Sequence, residues 1–247
     1  MRAITGWSGL CGIIGMLAAG VVGCGGGGGP ATTVDLPAAQ RHKLRAVPAP
    51  SLAIKLPSEH TFNIHDKRWG STPGPAGKAN PAADAAPEGT AFCRADAENG
   101  GASWAEFQLG HALENDTDQP IGAELRLTID YEYACRAAGQ GTKTAGAFAI
   151  KAFVKGTDGK VLNTIPLAGH TSDDGPVRWS GSERTLTELT LQPRRGYYIV
   201  VGGRADAAAA EKASSIAEIT VKSLALEIVF KPATATTSAE KPHCSEK

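Results

Sequence analysis

The sequence is poor in the residues that build large binding or catalytic surfaces. Aromatics make up 6% of its 247 residues, and only two methionines are present. Charge of one sign is also missing: 25 Lys and Arg balance 25 Asp and Glu. A nucleic-acid binder shows a basic stripe, so nucleic acid is excluded as a partner. No apolar run reaches the ~20 residues that a membrane-spanning helix needs. HExxH, CxxC, a P-loop and a G-x-S-x-G elbow are all absent. One G-x-G-x-x-G match begins at Gly23, but neither a strand nor a helix pattern flanks it, so it is no dinucleotide site. These absences favour a protein that is not an enzyme and carries no cofactor.

What is present differs by region. Arg2 is the only charge before Asp35, and an apolar run from Leu10 to Ala19 follows it. A basic start, a short apolar stretch and small residues before a cut read as a secretory signal over residues 1–23. Val21-Val22-Gly23-Cys24 then resembles the bacterial lipobox. The resemblance implies cleavage before Cys24, with Cys24 carrying a diacylglycerol and an N-acyl chain. Gly25 is not the Asp that the resemblance links to inner-membrane retention, which favours an outer-membrane address in the cell envelope. Several acyl chains on one residue anchor firmly, since each buried CH₂ contributes about 0.8 kcal/mol. The alternative is an ordinary signal cut elsewhere, with Cys24 incidental.

Residues 24–91 read as a lipid-anchored tether. Gly25 to Gly29 is an unbroken glycine run, and nine of the 15 prolines lie between Pro30 and Ala91. Such composition favours extended or disordered chain, above all from Gly77 to Gly89. Two islands, Leu52–Leu56 and Thr61–His65, alternate like short strands and are expected to add edge strands near 52–65.

From residue 92 to 232 the pattern is that of strands. Between Ile121 and Cys135 the odd positions are apolar or aromatic, while Glu124, Arg126, Thr128, Asp130 and Glu132 are polar. A period of two sustained this long sets one face on a core and one in water. Asp158-Gly159 predicts a hairpin turn. Strands are also expected over Val177–Ser180, Thr185–Leu191 and Tyr197–Val201. In Ile216–Phe230 the apolar parity switches between Val221 and Leu224, which predicts a bulge. Asp206–Ala213 reads as a hairpin end or a single helical turn. Seven to nine short strands without intervening helices predict an all-β fold, a single antiparallel β-sandwich of jelly-roll type. Residues 233–247 read as a disordered tail. Leu189–Pro193, followed by Gly196–Gly202 and a closing strand, resembles jelly-roll carbohydrate-binding modules, which implies a glycan ligand.

Cys93 and Cys135 flank the strand region and are expected to form a disulfide. Cys244, in the tail, is either free or an alternative partner for Cys93. Asn115, Asp116 and Asp118 offer alternating oxygens of the kind calcium takes, although Asn and Asp also dominate ordinary turns. His170 with Asp173 and Asp174 has the residue types of a metal-dependent hydrolase site. His60, His65 and Asp66 lack ligand spacing. Trp179, Tyr197 and Tyr198 are the candidate ligand platform, because adjacent strand residues face opposite ways and one tyrosine must point outward. The resulting reading is a non-catalytic envelope lipoprotein that presents a glycan-binding sandwich. A protein-partner or assembly role at the cell surface is the alternative.

Overall fold

The computed structural model describes residues 36–139 and 144–231. The signal segment, Cys24, the glycine run, Cys244 and the 233–247 tail lie outside the described residues. Within them the chain forms β1 (His42–Leu44), β2 (Ala53–Leu56), β3 (Ile64–Thr72), β4 (Lys78–Ala79), β5 (Ala82–Ala86), β6 (Thr90–Glu98) and β7 (Ala102–Asn115). There follow β8 (Ile121–Ala138), β9 (Ala145–Gly156), β10 (Val161–Thr171), β11 (Val177–Leu191), β12 (Arg195–Ala208) and β13 (Ser214–Lys231). The only described helices are single 3₁₀ turns, Ala38–Gln40 and Ser172–Asp174.

The strands form two sheets packed as a sandwich. Sheet A has the order β1-β7-β12-β9-β10, with β3 also on β7. Sheet B has the order β11-β8-β13-β6-β4, with β2 on β13 and β5 on β6. The core lies between them. On β8, Ile121, Ala123, Leu125, Leu127, Ile129 and Tyr131 are buried, as the alternation requires. The polar positions of β8 form the outer face of sheet B, which is laced with ion pairs. Lys231 joins Glu124 at 2.8 Å and Glu188 at 2.6 Å, Arg126 joins Glu124 and Glu227, and Lys222 reaches Glu132 at 2.7 Å. This is an ordinary solvated sheet face.

The register of β13 on β8 shifts between Val221 and Ser223, where the parity switches. Val177–Leu191 is one strand rather than two. The Asp206–Ala213 segment is a hairpin end, with β12 running to Ala208 and β13 starting at Ser214.

The expected tether requires correction. Residues 42–86 contribute five strands to the two sheets, and Phe62 and Ile64 are each 1% exposed. The sandwich therefore begins near residue 42, not 92. The glycines and prolines serve close packing rather than freedom. Pro73-Gly74-Pro75 joins β3 to β4, and a Cβ on Gly74 would lie 2.7 Å from the Gly100 backbone. The 77–89 stretch holds β4 and β5, both paired with β6.

The expected disulfide is also corrected: Cys93 and Cys135 are free and buried. Cys93 pairs with Ile219 and Cys135 with Ala217, so β13 runs between them. Two strand spacings are about 9.6 Å, beyond the ~7 Å limit between Cα atoms for a bridge. Burial pushes both thiols up, that of Cys135 to about 11 with Asp173 adding to it.

Candidate functional site

The two outer faces differ. On sheet A, residues facing away from sheet B are buried on the central strand β7. Glu106 is 5% exposed and Gln108 is 4% exposed. Register places side chains of four strands in rows across this face. One row is Gly70, Trp104, Asp206 and Ala147; the next is Arg68, Glu106, Arg204 and Ala149; the third is Asp66, Gln108, Gly202 and Lys151. The Trp104 indole lies against Gly70, where a Cβ would come within 2.7 Å of its Nε1.

Arg204 organises the polar rows. It pairs with Asp206 at 2.8 Å and Glu106 at 3.5 Å, and its Cζ lies 5.0 Å from the Trp104 ring centroid. Arg68 pairs with Asp66 at 2.9 Å. Beneath these side chains the Gln108 Oε1 is buried without a hydrogen-bond partner, which is unfavourable by about 1–3 kcal/mol. The face balances Asp66, Glu106 and Asp206 against Arg68, Arg204 and Lys151, so it selects for neither sign of charge.

Toward the other end the same face becomes apolar. Ile64, Ala112, Tyr198 and Val200 form a second small core, with Leu36 and Phe153 packed on it. Residues 36–41 cover this end. Arg41 Nη2 donates to the Leu36 carbonyl at 3.0 Å and to the Tyr198 hydroxyl at 3.2 Å.

This covering corrects the tyrosine platform. Tyr197 and Tyr198 do face opposite ways, but neither reaches solvent, at 2% and 0% exposure. Tyr197 joins the main core and its hydroxyl accepts from the Gln192 N–H at 2.6 Å. Tyr198 points outward, under residues 36–41. Trp179 is 37% exposed, stacked on Tyr133 with centroids 5.4 Å apart and tilted 5.0 Å from Tyr131. It caps an edge of the core beside Glu183, whose carboxylate accepts from the Tyr131 hydroxyl at 3.0 Å. Trp179 is not near Tyr197 or Tyr198 in register, so the three do not form one platform.

The remaining candidates do not converge either. Asn115 is buried and fixes a corner: its Nδ2 donates to the Gln119 and Leu191 carbonyls, and its Oδ1 accepts from Thr117. The Asp116 and Asp118 carboxylates are both taken by Arg194, at 2.9 Å each. A guanidinium therefore stands where calcium was expected. His170 Nε2 is 2.7 Å from the Gly175 carbonyl, and no ion pair joins His170 to Asp173 or Asp174. Among the described residues no group of three His, Cys, Asp or Glu is arranged to hold a metal ion.

Histidine does cluster elsewhere. The His42 ring lies 5.3 Å from His60 and 5.6 Å from His111. His111 is 3% exposed, and its ring nitrogens make no hydrogen bond of normal geometry, although the Thr61 backbone interacts with the ring. Burial, followed by the nearby His42 and His60, lowers the His111 pKa to about 4. Burial and His60 likewise lower that of His42.

Neither the polar rows nor this cluster was found from the sequence. The alternation of Trp104, Glu106 and Gln108 along β7 was the available signal for the first. Nothing local joins His42, His60 and His111.

No protein-family model matches the chain. No curated protein matches it either. Among solved structures, the Endo-D glycoside hydrolase domain of Streptococcus pneumoniae R6 is 14% identical with a TM-score of 0.21, over 63% of this chain and 21% of that one. The chain thus spans about a fifth of that protein's length. A family 11 carbohydrate-binding module of a Clostridium thermocellum cellulosomal cellulase is 13% identical with a TM-score of 0.16, over 64% of this chain and 86% of that one. Similarity at this level carries no functional argument.

Proposed function

We propose that this chain is a non-catalytic, lipid-anchored envelope protein whose sandwich binds a neutral glycan on the polar rows of sheet A. The carrying observation is the buried, unpartnered Gln108 Oε1 beneath a charge-balanced set of planar side chains. A glycan hydroxyl reaches that covered oxygen once the partly exposed Arg and carboxylate side chains of the rows shift, and those groups hydrogen-bond paired hydroxyls on a sugar ring. Three carboxylates against three cations give no preference for an acidic or basic ligand. The Val21-Val22-Gly23-Cys24 pattern supports presentation from the membrane, at the outer membrane where the cell has one.

The test is retention on a panel of neutral polysaccharides, comparing wild type with Gln108→Leu and Trp104→Ala. Retention of the wild type on at least one polysaccharide, reduced about tenfold or more by Gln108→Leu, is expected; a single lost hydrogen bond to a buried group corresponds to roughly that factor. Retention on none would overturn the glycan reading in favour of a protein partner, to be sought by crosslinking in membranes. Mass spectrometry of the mature N-terminus tests the anchor: an acylated Cys24 is expected, and a free amine at another residue would overturn it.

A further inference from the structure

We propose that residues 36–44 form a strap that mild acid releases from sheet A, with His42, His60 and His111 as its latch.

The strap is held by one short ladder, by Leu44 in the main core and by Leu36 on the second. Its only strand, β1, has three residues paired in parallel with Leu113–Asn115 of β7. β3 occupies the rest of that β7 edge, so among the described residues β1 pairs with no second strand. Arg41 ties the strap to Tyr198 and lies 3.6 Å from Glu114. Asn63 donates to the Gln40 carbonyl and also to that of Ala112, both at 3.1 Å.

The three imidazoles come from three elements: β1, the loop before β3, and β7. They run from exposed His60 through half-buried His42 to buried His111. The series is compatible with the strap only while it is uncharged, because a charged imidazole would be desolvated and would face like charge. Other charged groups on the packed elements are Arg41 and Lys43 around β1, Glu106 and Glu114 on β7, the Lys55–Glu59 pair before the loop, and His65, Asp66, Lys67 and Arg68 on β3, with Lys67 paired to Asp84. The charges acting on His111 are those of His42 and His60, and only the Thr61 backbone favours its protonation. Protonation of His42 and His111 is least costly when β1 parts from β7 and the rings reach water.

Release has a consequence that rests on the glycan reading. The strap covers the apolar end of the proposed binding face, so its departure bares the Tyr198 ring beside the polar rows. A bared tyrosine adds a second aromatic surface to that of Trp104.

The latch is tested without any ligand, by hydrogen exchange of the full chain at about pH 7.5 and about pH 5, corrected for intrinsic exchange. Protection of residues 36–44 is expected to fall about tenfold or more at the lower pH while β8 stays protected, since each unit of pKa difference is a factor of ten. In His111→Phe and His42→Phe the acid loss is expected to shrink, and in the double variant protection is expected to be equal at both pH values. His42 is half-buried, so His42→Phe carries the test even where His111→Phe fails to fold. Equal protection in the wild type, or an acid loss undiminished in His42→Phe, would overturn the latch. Polysaccharide retention at pH 7.5 is read separately, so failure of the glycan reading leaves this result standing.

Discussion

Gln108 lies in the middle of a central strand with a buried oxygen that nothing in the fold satisfies. Removing that oxygen while keeping the bulk is expected to be neutral or stabilising. Gln108→Leu should leave the thermal midpoint unchanged or raise stability by up to about 1–2 kcal/mol, measured by denaturant melts. Coupled with loss of polysaccharide retention, this outcome would mark a residue kept for binding at the expense of stability. A Gln108→Leu protein that is clearly destabilised would show that the side chain is structural. The cysteines make a second prediction. Cys93 and Cys135 are buried thiols two strands apart, so reductant should leave the melting midpoint unchanged. Both should react with an alkylating agent only in denaturant. Non-reducing peptide mapping that finds a Cys93–Cys135 link would contradict the strand order.

At the scale of elements, the His111 environment sets a pH dependence. Its pKa is about 4 in the fold against about 6.5 in an open chain. Between those values the unfolded state binds more protons, so stability falls as pH drops through this window. The group contributes fully above about pH 6.5 and stops changing below about pH 4. The loss is on the order of 3 kcal/mol, and denaturant melts across the window should show it shrinking in His111→Phe. The elements themselves were unequally legible. β8 was plain because one of its faces meets the core and the other meets water. The β7 site was hidden because both faces of that strand are buried, so Glu106 and Gln108 do not stand out as a solvent face. Residues 36–91 misled because the Gly and Pro content that marks a linker is also what tight backbone packing uses, as at Gly74 against Gly100. The histidine cluster depends on the crossing of β1 and the β2–β3 loop onto β7, which no short-range pattern records.

For the whole molecule, the strands from residues 42–86 are integral to the sandwich. A fragment beginning at residue 92 would lose β1 to β5, unpairing edges of β6, β7 and β13 and removing Phe62 and Ile64 from their cores. Such a fragment is expected to be unfolded or aggregated by circular dichroism and gel filtration, because open edges template pairing. One beginning near residue 36 should fold. The order in which the chain is stitched has a mechanical consequence. From its N-terminal side it visits sheet A with the three residues of β1, sheet B with the four of β2, and sheet A again with the nine of β3. A pull delivered through the N-terminal end therefore loads the three pairs of β1 first, the four of β2 next and the nine of β3 third. Drag is absorbed by paying out chain one strand at a time, and the pairing of β7, β8, β12 and β13 with one another outlasts the first three ladders.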